Sequence, residues 1–269
     1  KFLKSLNNIP ILIQLSHSGK KGSSYVPWIK SNTPLKHNSW KTLSSSKIKK
    51  DKNWPTPKEA SKKEINQLIK DFYKSAKYAK KAGLDGVEIH MAHGYLLHQF
   101  LSPISNHRKD RYGGTNDNRN ILPLEITKKL KKITKNDLIL GARVTGLDHI
   151  KKGIGLKQSI DFINKLKKAG LNYVCVSSGG IKTKTGLNPK KRGIRALVTK
   201  KIKNKIDNLV IGTTGNLSDL NYLNRILENK FLDLAFIGRP FLKNPNWLFK
   251  YALKNNREDL ISNQYRRAL

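Results

Sequence analysis

Three proton-handling side chains fall together after one short apolar segment. Gly86 to His90 alternates Val87 and Ile89 with Glu88 and His90, the pattern of a buried strand, and His90, His93 and Tyr95 lie within six residues. Two imidazoles and a phenol so spaced could present three hydrogen-bond donors to one point, which is what a carbonyl or nitro oxygen gaining negative charge requires. The chemistry that asks for this is reduction or enolisation. Two plainer readings stand beside it. The histidines could be satisfied core residues, or His90-x-x-His93 with Glu88 could ligate a metal, although no third ligand has a fixed helical spacing.

Positioning these groups is the task of the rest of the chain. Apolar strand candidates alternate with amphipathic helices, which predicts a parallel sheet with helical crossovers. Six strands are legible: Ile9 to Leu15, Gly86 to His90, Leu138 to Val144, Tyr173 to Ser177, Leu209 to Thr213 and Leu232 to Ile237. Helices are expected roughly over Ser61 to Ala82, Asn118 to Ile133, Leu156 to Ala169, Ile194 to Lys205, Ser218 to Asn229 and Pro245 to Asn255. The first opens with a capping box, Ser61-x-x-Glu64, and stops at Gly83; Gly170 closes another in the same way. The fold class expected is α/β; a (β/α)8 TIM barrel forming one domain over residues 1–269 needs eight strands, two more than are legible here, and the first two β/α units are expected to be the missing ones. Met91 is the only methionine, so Lys1 is not an initiator position, and the absent units would add on the order of 60 to 90 residues before it. A six-unit chain would leave two unpaired strand edges, so it is not expected to serve as a self-sufficient enzyme.

In such barrels the site is built at the C-terminal ends of the strands. Gln14, His90, Arg143, Ser177 with Ser178, Gly215, and Gly238 with Arg239 fall at those ends. A lone arginine ending an apolar strand is commonly a surface or ion-pair residue; two at equivalent positions favour a shared pocket. Gly215, Gly238 and Arg239 follow the last two strands, where barrels commonly hold a phosphate, and Pro240 fits a tight strand exit. No dinucleotide or P-loop pattern occurs, so the cofactor implied is a phosphate-bearing one other than a dinucleotide. Residues 20–58 are rich in Ser, Lys, Asn and Pro, carry Trp28, Trp40 and Trp54, and lack periodicity; they read as a lid over the barrel mouth.

Composition bounds the alternatives. At 37% hydrophobic the chain can bury a sizeable core, and no apolar run is long enough to span a membrane, so it reads as soluble and cytoplasmic. The single cysteine, Cys175, excludes an internal disulfide framework or a multi-cysteine cluster within these residues. The formal charge of +36 is spread over helices and loops, as in Lys128 to Lys135 and Lys200 to Lys205. The alternative function this raises is a non-catalytic basic barrel binding polyanions or nucleic acid, but no recognised motif supports it.

The run EIHMAHGYLLHQFLSPISNHRKDRYGG, followed by Asn118 and Arg119, resembles the old yellow enzyme family of FMN-dependent ene-reductases, in particular its bacterial branch. The resemblance continues through QLSHSG (Gln14 to Gly19), GARVTG (Gly141 to Gly146), VSSGG (Val176 to Gly180), FIGRPFLKNP (Phe236 to Pro245) and QYRRA near the end. It implies reduction of activated C=C bonds, such as those of enones, with hydride from NAD(P)H by way of FMN. Gln14 would bond the flavin ring, Arg143 would face its pyrimidine end, and Gly238 and Arg239 would clamp the phosphate. His90 and His93 would bind the substrate oxygen, and Tyr95 would donate the proton to carbon. NAD(P)H would be a transient co-substrate in the same pocket. Arg267 would reach a neighbouring subunit of a homo-oligomer. Lys190 to Thr199 departs from the family, in which this segment usually reads PGYQV.

Overall fold

Residues 2–6, 9–135, 137–182 and 193–268 are described by the structure, a computed structural model. The strands are β1 (Leu12–Leu15), β2 (Leu43–Ser44), β3 (Lys58–Glu59), β4 (Gly86–Met91), β5 (Ile139–Leu147), β6 (Tyr173–Ser178), β7 (Val210–Thr214) and β8 (Leu234–Phe236). The helices are α1 (Phe2–Leu6), α2 (Pro27–Lys30), α3 (Lys62–Lys81), α4 (Leu96–Leu101), α5 (Asn116–Thr134), α6 (Leu156–Lys168), α7 (Ile194–Lys203), α8 (Leu220–Glu228), α9 (Arg239–Lys243) and α10 (Phe249–Lys254). Six strands form one parallel sheet in the order β1-β4-β5-β6-β7-β8, and β2 and β3 pair separately. The sheet is a half-barrel with β1 and β8 at its edges, where Ile13 is 43% and Leu234 42% exposed.

Local chemistry accounts for the elements. In α3, Ser61 and Glu64 each bond the other's backbone, and Ile65, Leu68, Phe72, Ala76 and Ala79 are buried as the spacing predicts. Gly83 and Gly170 end α3 and α6 at φ +77° and +96°, conformations that cost glycine least. The inner strands β4 and β6 are buried along their whole length, as expected for a parallel sheet covered on both faces.

Several sequence expectations need correction. The first strand begins at Leu12, not Ile9: Pro10 cannot donate to a ladder, and the Ile11 N–H turns to the Asp85 carboxylate at 2.6 Å. β5 continues to Leu147 past an irregularity between Thr145 and Leu147, so Arg143 lies mid-strand. Pro240 is not a strand exit but sits in the first turn of α9, where its missing N–H costs nothing. Helix α4 went unpredicted because all six of its residues are buried and no polar face sets a period. Part of the Lys190 to Thr199 segment, residues 190–192, lies outside the described residues. Among the described residues no helix is long and apolar enough to cross a membrane.

The 20–58 stretch is tied down at its second half. Ser45 Oγ lies 2.8 Å from the Gln99 carbonyl and 2.9 Å from that of Ser105. The buried Arg108 guanidinium donates to the carbonyls of Ser45 (3.1 Å) and Ala60 (2.7 Å) and forks onto Asp110. Trp54 is buried, whereas Trp28 and Trp40 are exposed. Arg108→Ala should strand two buried carbonyls and cost about 2–4 kcal/mol of stability, read from urea unfolding; a loss below about 0.5 kcal/mol would refute the clamp.

Candidate active site

The strand β4 delivers His90, and a tight turn delivers His93 and Tyr95. His93 and Gly94 both adopt positive φ, +57° and +71°. A Cβ on Gly94 would stand 2.2 Å from the Gly180 carbonyl, and one on Gly180 would stand 2.6 Å from His93 Cα. The loops after β4 and β6 therefore meet backbone to backbone, a contact only glycine permits. Both polar backbone groups of Gly94 are held by α4: its N–H donates to His98 Nδ1 (2.7 Å), and its carbonyl accepts from Gln99 Nε2 (2.7 Å). His98 Nε2 in turn lies 2.9 Å from Asp148 Oδ1, with both side chains fully buried and the contact poorly aligned for a linear hydrogen bond. Burial would raise the Asp148 carboxyl, but the facing His98 and donors from Ile154 N and Ser102 Oγ carry it below the usual range.

This scaffold joins His90, His93 and Tyr95 in one cluster. His90 Nε2 is 3.1 Å from His93 Nδ1, His93 Nε2 is 2.6 Å from Ser177 Oγ, and the Tyr95 ring tilts against His90 at 4.7 Å between centroids. Burial first, then Arg143, lowers the His90 pKa to about 4; burial and His90 lower that of His93 to about 3. Both imidazoles are thus neutral at pH 7. The Ala92 N–H approaches His90 Nδ1 at 3.3 Å, which assigns one direction to the relay: His90 Nε2–H donates to His93, and His93 Nε2–H donates to Ser177. A ligand oxygen can take over either proton.

Gln14 and Arg143 meet at Glu88, which the sequence offered only as a possible metal ligand. The buried Glu88 accepts from Gln14 Nε2 and from Tyr173 Oη at 2.8 Å, and lies 3.3 Å from Arg143 Nε. Gly141 leaves room for the Tyr173 ring to cross β5, since a Cβ there would stand 2.1 Å from it. Burial and then Glu88 hold the Tyr173 phenol far above its usual range.

Gly215, Gly238 and Arg239 line a separate stretch, an open cavity of about 770 Å³ with Lys243 and Lys250. A Cβ on Gly238 would meet no heavy atom within 4 Å, so backbone is presented openly to whatever the cavity holds. Among the described residues no carboxylate pairs with Arg239. Unpaired cations, open glycine backbone and a volume in the usual range of ligand sites fit the phosphate end of FMN. Arg267 is exposed in the terminal turn Asn263–Ala268, and no bond among the described residues joins it to these groups.

Lys21 was also missed. Its Nζ donates to the His93 carbonyl at 2.5 Å and lies 5.8 Å from the Tyr95 ring centre. Burial, then Lys50, lowers its pKa to about 8. Nothing in a chain with 54 lysines and arginines singles it out by sequence.

A cluster of proton-handling side chains and an open basic cavity, both built at strand ends of a β/α half-barrel, fit a barrel enzyme that carries a phosphorylated cofactor. The chain is a member of the NADH:flavin oxidoreductase / NADH oxidase family, whose model matches residues 7–259, and so is a nicotinamide-dependent flavin oxidoreductase with FMN as cofactor. It is 33% identical over 260 residues to the NADPH dehydrogenase of Bacillus subtilis, covering 95% of this chain and 70% of that protein. It is 36% identical over 250 residues to the NADPH dehydrogenase of Clostridium acetobutylicum, covering 91% of this chain and 68% of that one. The fold is shared with the old yellow enzyme homologue from Zymomonas mobilis (TM-score 0.72, 24% identity, 92% of this chain and 68% of that one). It is shared too with morphinone reductase in complex with tetrahydroNAD (TM-score 0.71, 22% identity, 92% and 66%).

The depressed histidines carry a sign that can be checked. As pH falls from 6.5, the unfolded chain takes up protons that folded His90 and His93 refuse until about 4 and 3, so stability drops over that window. His93→Asn should shrink the fall in Tm between pH 7 and pH 4.5; an equal fall in wild type and variant would contradict the burial of a neutral imidazole.

Proposed function

We propose that this chain reduces activated C=C bonds, those of enones and related electron-poor alkenes, and the observation that carries the reading is the neutral His90–His93 relay with Tyr95 packed against it. His90 and His93 hold the substrate oxygen by turning their Nε2 protons from each other and from Ser177 toward it, which stabilises the charge that develops there. Tyr95 Oη gives a proton to one alkene carbon. Reduced FMN, when bound, supplies hydride to the other carbon.

Gln14 and Arg143 would hold the flavin ring, both aimed by Glu88, and Gly215, Gly238 and Arg239 would hold its phosphate. The nicotinamide and the alkene take turns in one pocket, and the name of the Bacillus and Clostridium relatives favours NADPH as the reductant. Residues 20–58 act as a lid whose first turn brings Lys21 to the site, and the exposed Arg267 serves a neighbouring copy in a homo-oligomer.

The test separates the two half-reactions. Tyr95→Phe should slow alkene reduction about 10²- to 10⁴-fold while flavin reduction by NADPH changes little, and His90→Asn or His93→Asn should weaken enone binding about tenfold or more. Unchanged alkene turnover in all three variants, or a protein that takes up no FMN, would defeat the proposal.

A further inference from the structure

Helix α7 places one more cation behind a loop that lines the cavity. Arg195, at the start of α7, donates from Nε to Ser178 Oγ at 2.9 Å, which fixes the plane of its guanidinium. A Cβ on Gly215 would stand 2.4 Å from Arg195 Nη1 and 3.0 Å from its Cζ, so the guanidinium lies directly against the backbone of the loop after β7. Gly215 itself sits at φ +98°, a conformation that leaves this flank of the loop open to the arginine. The same loop, through Thr214, Gly215 and Asn216, lines the cavity that Gly238, Arg239, Lys243 and Lys250 complete.

Arg195 is also close enough to Arg239 for the two charges to oppose each other: burial and then Arg239 lower its pKa. Among the described residues neither arginine has a carboxylate within ion-pair distance. Two guanidiniums that oppose each other, with no carboxylate beside either among the described residues, favour an anion shared between them.

We propose that Arg195 is a second guanidinium for the phosphate of FMN, acting across Gly215 from Arg239, so that this chain grips its cofactor's phosphate from two sides. The inference rests on the reading of Gly215, Gly238 and Arg239 as the phosphate end of the site. A phosphate dianion matches two planar forks better than one, because each fork can supply parallel N–H donors to different oxygens. One guanidinium neutralises half of the dianion's charge and two neutralise all of it, so selectivity for phosphorylated over unphosphorylated flavin rises with the second.

The experiment compares FMN with riboflavin, which keeps the ring contacts and lacks the phosphate. Protein prepared from the flavin-loaded enzyme by flavin removal is titrated with each, following quenching of flavin fluorescence, for wild type, Arg195→Gln, Arg195→Lys and Arg239→Gln. Arg195→Gln should weaken FMN about 10- to 100-fold and leave riboflavin within about threefold, with Arg195→Lys recovering part of the loss. If Arg239→Gln discriminates between the flavins and Arg195→Gln does not, the phosphate site stands and the role of Arg195 is overturned. If neither variant discriminates, the phosphate is held elsewhere and both readings fall. Equal loss of both flavins in Arg195→Gln, with a lowered Tm of the flavin-free protein, would assign Arg195 to loop structure alone and also overturn the proposal.

Discussion

The Glu88 carboxylate is the interaction on which the barrel interior depends. It is a buried negative charge on the second strand of the sheet, and burial of a charge is tolerated only when partners surround it. Those partners come from three other strands: Gln14 from β1, Arg143 from β5 and Tyr173 from β6. A single anion thus draws four strands into register at one level. It also sets the electrostatics of the level above, because Arg143 pairs in register with His90 and its positive charge helps to keep that imidazole neutral. Arg143 is held on the other side by the face of Phe236 on β8, 5.8 Å from the ring centre, so the network reaches the far edge of the sheet.

Above this polar level, geometry is enforced by backbone contact more than by side-chain packing. The turn that carries His93 is pressed against Gly180, and its carbonyl and amide groups are claimed by Lys21, His98 and Gln99. A turn whose every polar group has a partner cannot drift without breaking several hydrogen bonds at once. The relay from Ala92 through His90 and His93 to Ser177 therefore joins β4 and its turn to β6, two strands whose following loops are locked to each other. Substrate recognition gains from that rigidity, since donors already in place need no reorganisation when charge develops on a bound oxygen.

The large positive charge is handled differently at the site and on the surface. With 54 basic against 18 acidic side chains, most cations have no carboxylate available. On exposed helix faces water solvates them at little cost. Near the mouth, the buried Lys20 and the half-buried Lys21 respond by losing affinity for their protons, both falling to about 8. Arginine starts from a far higher pKa, so Arg195, although lowered, remains charged and favours an anion. A basic mouth also raises the local concentration of phosphate-bearing ligands at low salt.

The sequence alone determined the order of strands and helices, the capping box at Ser61, the glycine stops at Gly83 and Gly170, and the short span from His90 to Tyr95, because each of these is written in neighbouring residues through periodicity, capping or backbone freedom. It also placed Ser177 and Ser178 at the end of their strand and Gly215 and Gly238 just past theirs. It did not reveal α4, because a fully buried helix has no polar face to mark its period, nor that Arg143 lies within its strand instead of at its end. Glu88, Lys21, Ser177 and Arg195 acquire meaning only from partners 74, 72, 84 and 17 positions away along the chain. Tertiary structure decided these, because a buried carboxylate, a depressed lysine or a second guanidinium is defined by what the fold sets beside it, and no local pattern records that.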